Sequence, residues 1–144
     1  MIECMWFDYD RVFGPSALIN CKKNTRECVG FHHDYQGKIR NSGLIEFYIV
    51  KEGPIGIYGA DWSYCDASLK RSTFFPDEWA YRKVLEKIFE ASKNIQSYTY
   101  NPRNSTWIIK GITTEKIIIE IVLEADIEKN PTGKIVSGYP ILEY

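Results

Sequence analysis

The chain has little histidine, no paired-cysteine motif, no long apolar run and almost no net charge. Each shortage removes a class of function. The four cysteines, Cys4, Cys21, Cys28 and Cys65, include no C-x-x-C pair. With only two histidines, side by side, they make no zinc pattern. They read as small apolar residues of a reducing compartment. No stretch approaches the roughly 20 apolar residues of a membrane span. Met1 to Asp10 carries Glu3, Asp8 and Asp10 where a signal peptide has a basic and then an apolar region. A net charge of −1 and a pI near 6.1 lack the basic excess of a non-specific nucleic-acid binder. The carboxylates are scattered, without metal-ligand spacing.

What remains reads as one soluble globular domain over residues 1–144, 44% hydrophobic and 26% charged, with no internal repeat or linker. Basic residues do gather locally, as at Lys22-Lys23-Arg26, Lys38-Arg40, Lys70-Arg71 and Arg82-Lys83-Lys87. A cleft can be positive while the whole chain is neutral.

Residues 1–20 show only a break at Gly14-Pro15, and 21–27 read as a polar loop. Asp34 to Gly43 is expected to be a second loop. Leu44–Val50 and Ile55–Trp62 are β-branched and aromatic on either side of Glu52-Gly53-Pro54, which predicts a hairpin. Ser63 to Ser68 reads as a loop. Pro76, followed by Asp77 and Glu78, suits a helix start. The apolar stripe Tyr81, Val84, Leu85, Ile88 then predicts a helix over about 77–92. A Tyr-rich loop is expected over 97–105. Strands are expected at Trp107–Ile112, Ile117–Leu123 and Lys134–Ile141, with a turn at Asn130-Pro131-Thr132-Gly133. The fold class is α+β: antiparallel sheets with one helix packed against them.

Both histidines fall in Gly30-Phe31-His32-His33-Asp34. Histidine is the side chain whose unperturbed pKa lies nearest neutrality, and so the first candidate for proton transfer. Gly30 lets the backbone come close to a ligand. The plain alternative is a solvated turn.

Three fragments, VGFHHD (29–34), KRSTFFPDEW (70–79) and TGKIVSGYP (132–140), stand together in that order. From about residue 15 to the C-terminus the chain resembles the EndoU family of endoribonucleases, in particular the small bacterial toxin forms. The resemblance implies an EndoU-like nuclease fold and cleavage of RNA, at uridine, to a 2′,3′-cyclic phosphate. It implies no cofactor or metal. His32 matches the family's catalytic histidine, through the Gly-hydrophobic-His spacing, and would be the general base. His33 is the alternative. Lys70 would stabilise charge on the phosphorane, with Lys38 a second candidate. Tyr139 would orient the sugar or phosphate. Ser137 would bond the base edge, and Gly30, His33 and Thr73 would complete substrate binding. Such chemistry needs a base for the 2′-hydroxyl, an acid for the leaving 5′-oxygen and a cation for the phosphate.

One part of the family pattern is missing. Members carry a second histidine about fifteen residues upstream, where this chain has Ala17. Another residue could be the acid, the chain could be an inactive relative, or Ala17 could replace a histidine. Weak or undetectable activity is therefore expected. The resemblance further implies a toxin delivered as part of a larger protein and acting in the target-cell cytoplasm. It implies RNA as the substrate, no DNA and a cognate immunity protein. A catalytically dead RNA-binding or protein-interaction module is the other reading.

Overall fold

The computed structural model describes residues 31–64 and 69–142. Ala17, Gly30, the polar stretch 21–27 and all four cysteines lie outside the described residues. The described chain is α+β, with two antiparallel sheets.

The expected hairpin is present as β1 (Ile45–Glu52) and β2 (Tyr58–Tyr64), turned by a 3-10 segment at Pro54–Gly56. A third strand, β3 (Lys70–Phe74), pairs with β2 and completes a three-stranded sheet. Its sequence KRSTF alternates side chains across the sheet, and Phe74 on the inner face is fully buried. The core here is aromatic. Phe31 meets the edges of Trp62 and Phe74, each at 5.1 Å, and Tyr58 stacks on Phe74 at 5.2 Å.

Asp34 to Gly43 is not the expected loop. It forms a 3-10 turn, Tyr35–Gly37, and a short helix, α1 (Lys38–Asn41). Asp34, fully buried, accepts the backbone N–H of Ile39 at 2.8 Å and of Arg40 at 3.2 Å, satisfying donors that a helix start leaves open.

The second helix, α2, runs Tyr81–Ser92 and begins four residues later than the proline signal suggested. Pro76 opens a turn instead, closed by Trp79 N–H to the Pro76 carbonyl at 3.1 Å. Asp77 is withdrawn from any helix start because its carboxylate accepts from Tyr58 and Arg40, each at 2.5 Å. From Val84, Ile88 and Ala91, α2 presents one buried stripe.

That stripe packs on a four-stranded meander, β4 (Ile95–Asn101), β5 (Thr106–Ile112), β6 (Ile118–Ala125) and β7 (Pro131–Pro140). Most of the stretch expected as a Tyr-rich loop is therefore strand β4, with only 102–105 turning. The last turn also comes earlier than the Asn-Pro-Thr-Gly signal. Asp126 accepts the N–H groups of Glu128 and Asn130, both at 2.9 Å, and Pro131 already opens β7. The core between helix and sheet is aliphatic: Ile109, Ile119, Ile121, Leu123 and Ile135 against Val84 and Ile88. Helix and sheet meet closely at Gly111, where a Cβ would stand 1.9 Å from the Ala91 carbonyl oxygen.

β7 carries one irregularity that matters for the site. Val122 pairs with Ser137, but Leu123 pairs with Ile135, so Val136 is an extra residue. Ile135 points into the aliphatic core. Beyond the bulge Gly138 and Pro140 take the buried positions, and Ser137 and Tyr139 face the other way. No helix among the described residues is long and apolar enough to cross a membrane.

Candidate active site

The two sheets meet where β3 approaches the end of β7, and a cleft of about 330 Å³ opens there. His32, in the segment 31–33 beside the edge of β3, lines it. The His32 carbonyl accepts Phe75 N–H at 2.9 Å, which ties the segment to the residue after the strand. Phe31 makes the turn into this segment with φ of +56°. A non-glycine residue in that region is strained and persists only where packing enforces it. The enforcing contacts are Trp62 and Phe74, around a fully buried Phe31 ring.

His32 is held by its Nδ1, 2.8 Å from the Thr73 carbonyl oxygen. A carbonyl can only accept, so Nδ1 carries the proton and Nε2 presents a lone pair. Burial lowers the His32 pKa to about 4, against the opposing pull of that carbonyl bond. At neutral pH the ring is uncharged and able to take a proton. Its ring centroid lies 4.9 Å from that of Tyr139. The bulge at Val136 is what brings Tyr139 to this face. Thr73 donates its hydroxyl to the Pro140 carbonyl at 2.5 Å, joining the two sheets beneath the cleft.

Of the residues singled out in the sequence, His32, Thr73 and Tyr139 come together around one cleft. His33 does not line it. That ring is buried on the far side of the segment, its pKa lowered by desolvation, with backbone groups of Trp79 and Pro76 working the other way. Lys70 opens β3 opposite Trp62 and is partly buried. It lies just outside the lining, while Ser72, two residues on and on the same face, lies within it. Ser137 shares the outward face of Tyr139, since the ladder runs without interruption from Ser137 to Pro140. It too lies outside the lining. Lys38 is exposed on α1, with its ammonium 5.3 Å from the Tyr35 ring centre. Among the described residues no three His, Cys, Asp or Glu side chains gather as metal ligands.

Sequence reasoning missed the support behind the histidine. Arg40 bonds Asp34 at 2.9 Å, and Asp77 and the Tyr58 hydroxyl each at 2.5 Å. Its guanidinium lies over the Phe47 ring at 4.3 Å. Burial pushes the Tyr58 phenol up, so its hydroxyl stays protonated and donates to Asp77. Gln36 N–H adds a bond to the Asp77 carbonyl at 2.8 Å. Residues 34–40 are thereby clamped to the turn after β3. The available signal was an acid two residues past His32 with an arginine six residues further, but charge alone does not say which pairs form.

A model of bacterial EndoU nucleases matches residues 18–142. No curated protein and no solved structure matches the chain.

Proposed function

The chain belongs to the bacterial EndoU nuclease family, and from that premise we propose that it is an endoribonuclease domain of toxin type. It cleaves RNA at uridine by attack of the 2′-hydroxyl, leaving a 2′,3′-cyclic phosphate. The observation that carries this reading is His32. A neutral imidazole with its Nδ1 proton fixed on Thr73 offers Nε2 as the base, beside Tyr139 in an open cleft. A base with a pKa near 4 is weak in the free protein. A phosphodiester in the cleft places a negative charge nearby and raises that pKa toward the working range. Tyr139 orients the sugar or phosphate, Ser137 reads the base edge, and Lys70 offers the charge that stabilises the phosphorane. Gly30 supplies a backbone N–H, with His33 supporting the segment.

The weak point of the machinery is the acid. No histidine precedes residue 32. We assign the place of the missing acid to Ala17, fifteen residues upstream. Loss of a general acid costs about 10²–10⁴ in rate, so the chain as it stands cleaves slowly or not at all. The same absence favours a second reading, a dead relative that only binds RNA or a protein partner. As a delivered toxin acting in the target-cell cytoplasm, the domain is met by an immunity protein, which neutralises it by covering His32 and the cleft.

The deciding experiment restores the acid. Ala17→His should raise cleavage of a uridine-containing RNA by roughly 10²-fold, with cyclic-phosphate ends and a bell-shaped profile over pH 5–9. Activity of this variant should persist in excess EDTA. A variant no faster than the parent sinks the assignment of Ala17 and favours the dead-module reading.

A further inference from the structure

Within the cleft one cation is held in place by the protein itself. Arg71 lies on β3 two residues before Thr73, on the same face of the strand, and lines the cleft. Directly across from it on β2 stands Asp61. Nε of Arg71 donates to Oδ1 at 2.8 Å and Nη2 to Oδ2 at 3.0 Å, so the carboxylate grips one edge of the guanidinium. The arginine side chain is nonetheless 57% exposed. An exposed ion pair of this kind adds little to stability. Its effect is on orientation: the carboxylate fixes the plane of the guanidinium before an anion arrives.

The position of this cation is informative. Among the described residues lining the cleft, Arg71 is the only lysine or arginine. Lys70 lies just outside the lining. Thr73, whose carbonyl fixes the base His32, is one two-residue strand step from Arg71, about 7 Å. That step is of the order of one nucleotide along an extended strand. A phosphate reacting at His32 therefore places its neighbour in the chain, not itself, nearest to Arg71. The other β3 residues in the lining, Ser72 and Thr73, are small. The Arg71 guanidinium also holds the Asp61 carboxyl below its usual range, so the pair stays ionised through mildly acidic pH.

We propose that Arg71, oriented by Asp61, binds the phosphate adjoining the cleaved one in a single RNA strand. The proposal rests on the nuclease reading and extends it from one phosphate to a run of at least two. Arg71 is a binding residue here, and Asp61 a positioning residue acting through it.

The test measures binding, which does not require the missing acid. The probes are a deoxyuridine-centred dinucleotide with a single phosphate and an RNA octanucleotide carrying the same uncleavable deoxyuridine centre. Arg71→Gln should weaken the octanucleotide about tenfold and make its log K against log salt slope shallower by about 0.7, as expected for one lost contact to a single strand. The dinucleotide should change by less than about twofold, the difference a lost second-phosphate contact requires. Arg71→Lys should restore the slope but not the full affinity, because an ammonium keeps the charge and loses the fork. Asp61→Asn should fall between parent and Arg71→Gln. Thermal melting identifies any variant that has lost its fold, and the lysine variant then carries the test. Octanucleotide binding unchanged in Arg71→Gln overturns the proposal and leaves the nuclease reading standing. Equal weakening of both probes also overturns it, by placing Arg71 at the reacting phosphate. A parent protein that binds neither probe removes the nuclease reading, and the proposal with it.

Discussion

The two sheets are built from different materials. The four-stranded half buries isoleucine, leucine and valine in the core it shares with α2, with regular pairing between β5 and β6. The three-stranded half buries Phe31, Tyr58, Trp62 and Phe74 and adds a charged network of Asp34, Arg40 and Asp77. Aliphatic packing is non-directional and tolerant, so it suits a scaffold. Aromatic edges and charged hydrogen bonds are directional, so they suit the half that must aim a side chain. The positive φ of Phe31 belongs to the second half and sits one residue from His32. A strained, polar and precisely placed segment is thus carried against a plain apolar base.

The sharpest way to break this contrast is to cut the charged network. Arg40→Met leaves Asp34 buried without its cation, and breaking a buried pair in this way costs about 3 kcal/mol. Denaturant unfolding should show that loss. Cleavage by a histidine-restored protein should fall further than the unfolded fraction explains, because the clamp on residues 34–40 is gone. Arg40→Lys should recover stability only in part.

Gly111→Ala attacks the other half. The new methyl would meet backbone atoms of Ala91, and overpacking of that kind costs about 1–3 kcal/mol. Here the expected loss is of stability alone. Catalysis per folded molecule should be unchanged, which a paired melting and turnover measurement can read. A disproportionate fall in turnover would show that the helix side does contribute to aiming the site.

Acid should act on the aiming half first. His32 has a folded pKa near 4, below its unfolded value of 6.5, and that of His33 is lowered too. Between those limits the unfolded chain binds more protons than the folded one. Stability therefore falls as pH drops from about 6.5 to 4, by on the order of 3 kcal/mol, and this term is flat below. The check is the urea midpoint across that range. In His32→Asn the slope should be smaller, and an identical slope would contradict the pKa assignment.

The smallest effect is expected at Ser137. Ser137→Ala should change stability by less than about 0.5 kcal/mol, as surface substitutions usually do. In an active background it should blur the choice of uridine more than it lowers the rate. Cleavage sites mapped on a mixed-sequence oligonucleotide would decide this, and an unchanged pattern would remove Ser137 from base reading.

Legibility in the sequence followed the same division. Strands β5 and β6 were readable because isoleucine runs admit few alternatives. The helix stripe was readable, but its start was not. Proline followed by two acids is a helix-start signal only if the acids are left to the helix, and Asp77 is taken by Arg40 and Tyr58 from distant parts of the chain. Strand β4 was hidden by Ser, Thr and Asn, which favour turns locally, although Tyr98 and Tyr100 alternate as a strand requires and both rings reach Trp107. His32, Thr73 and Tyr139 were legible as motif positions. Arg40 and Arg71 were not, because their roles depend on partners that only the folded chain brings near.

The extra residue in β7 has a consequence for how the motif is read. Were Val136 paired in the regular ladder instead of bulged, the alternation would carry on unbroken from Ile135, and Tyr139 would exchange places with its neighbours and turn toward α2. Deleting Val136 would remove the bulge and leave Ser137 and Tyr139 on the face they now occupy. Drawing it into the ladder would keep every residue of the motif and still put the tyrosine on the wrong side. Parity along this strand is a property of the pairing that no residue's identity records.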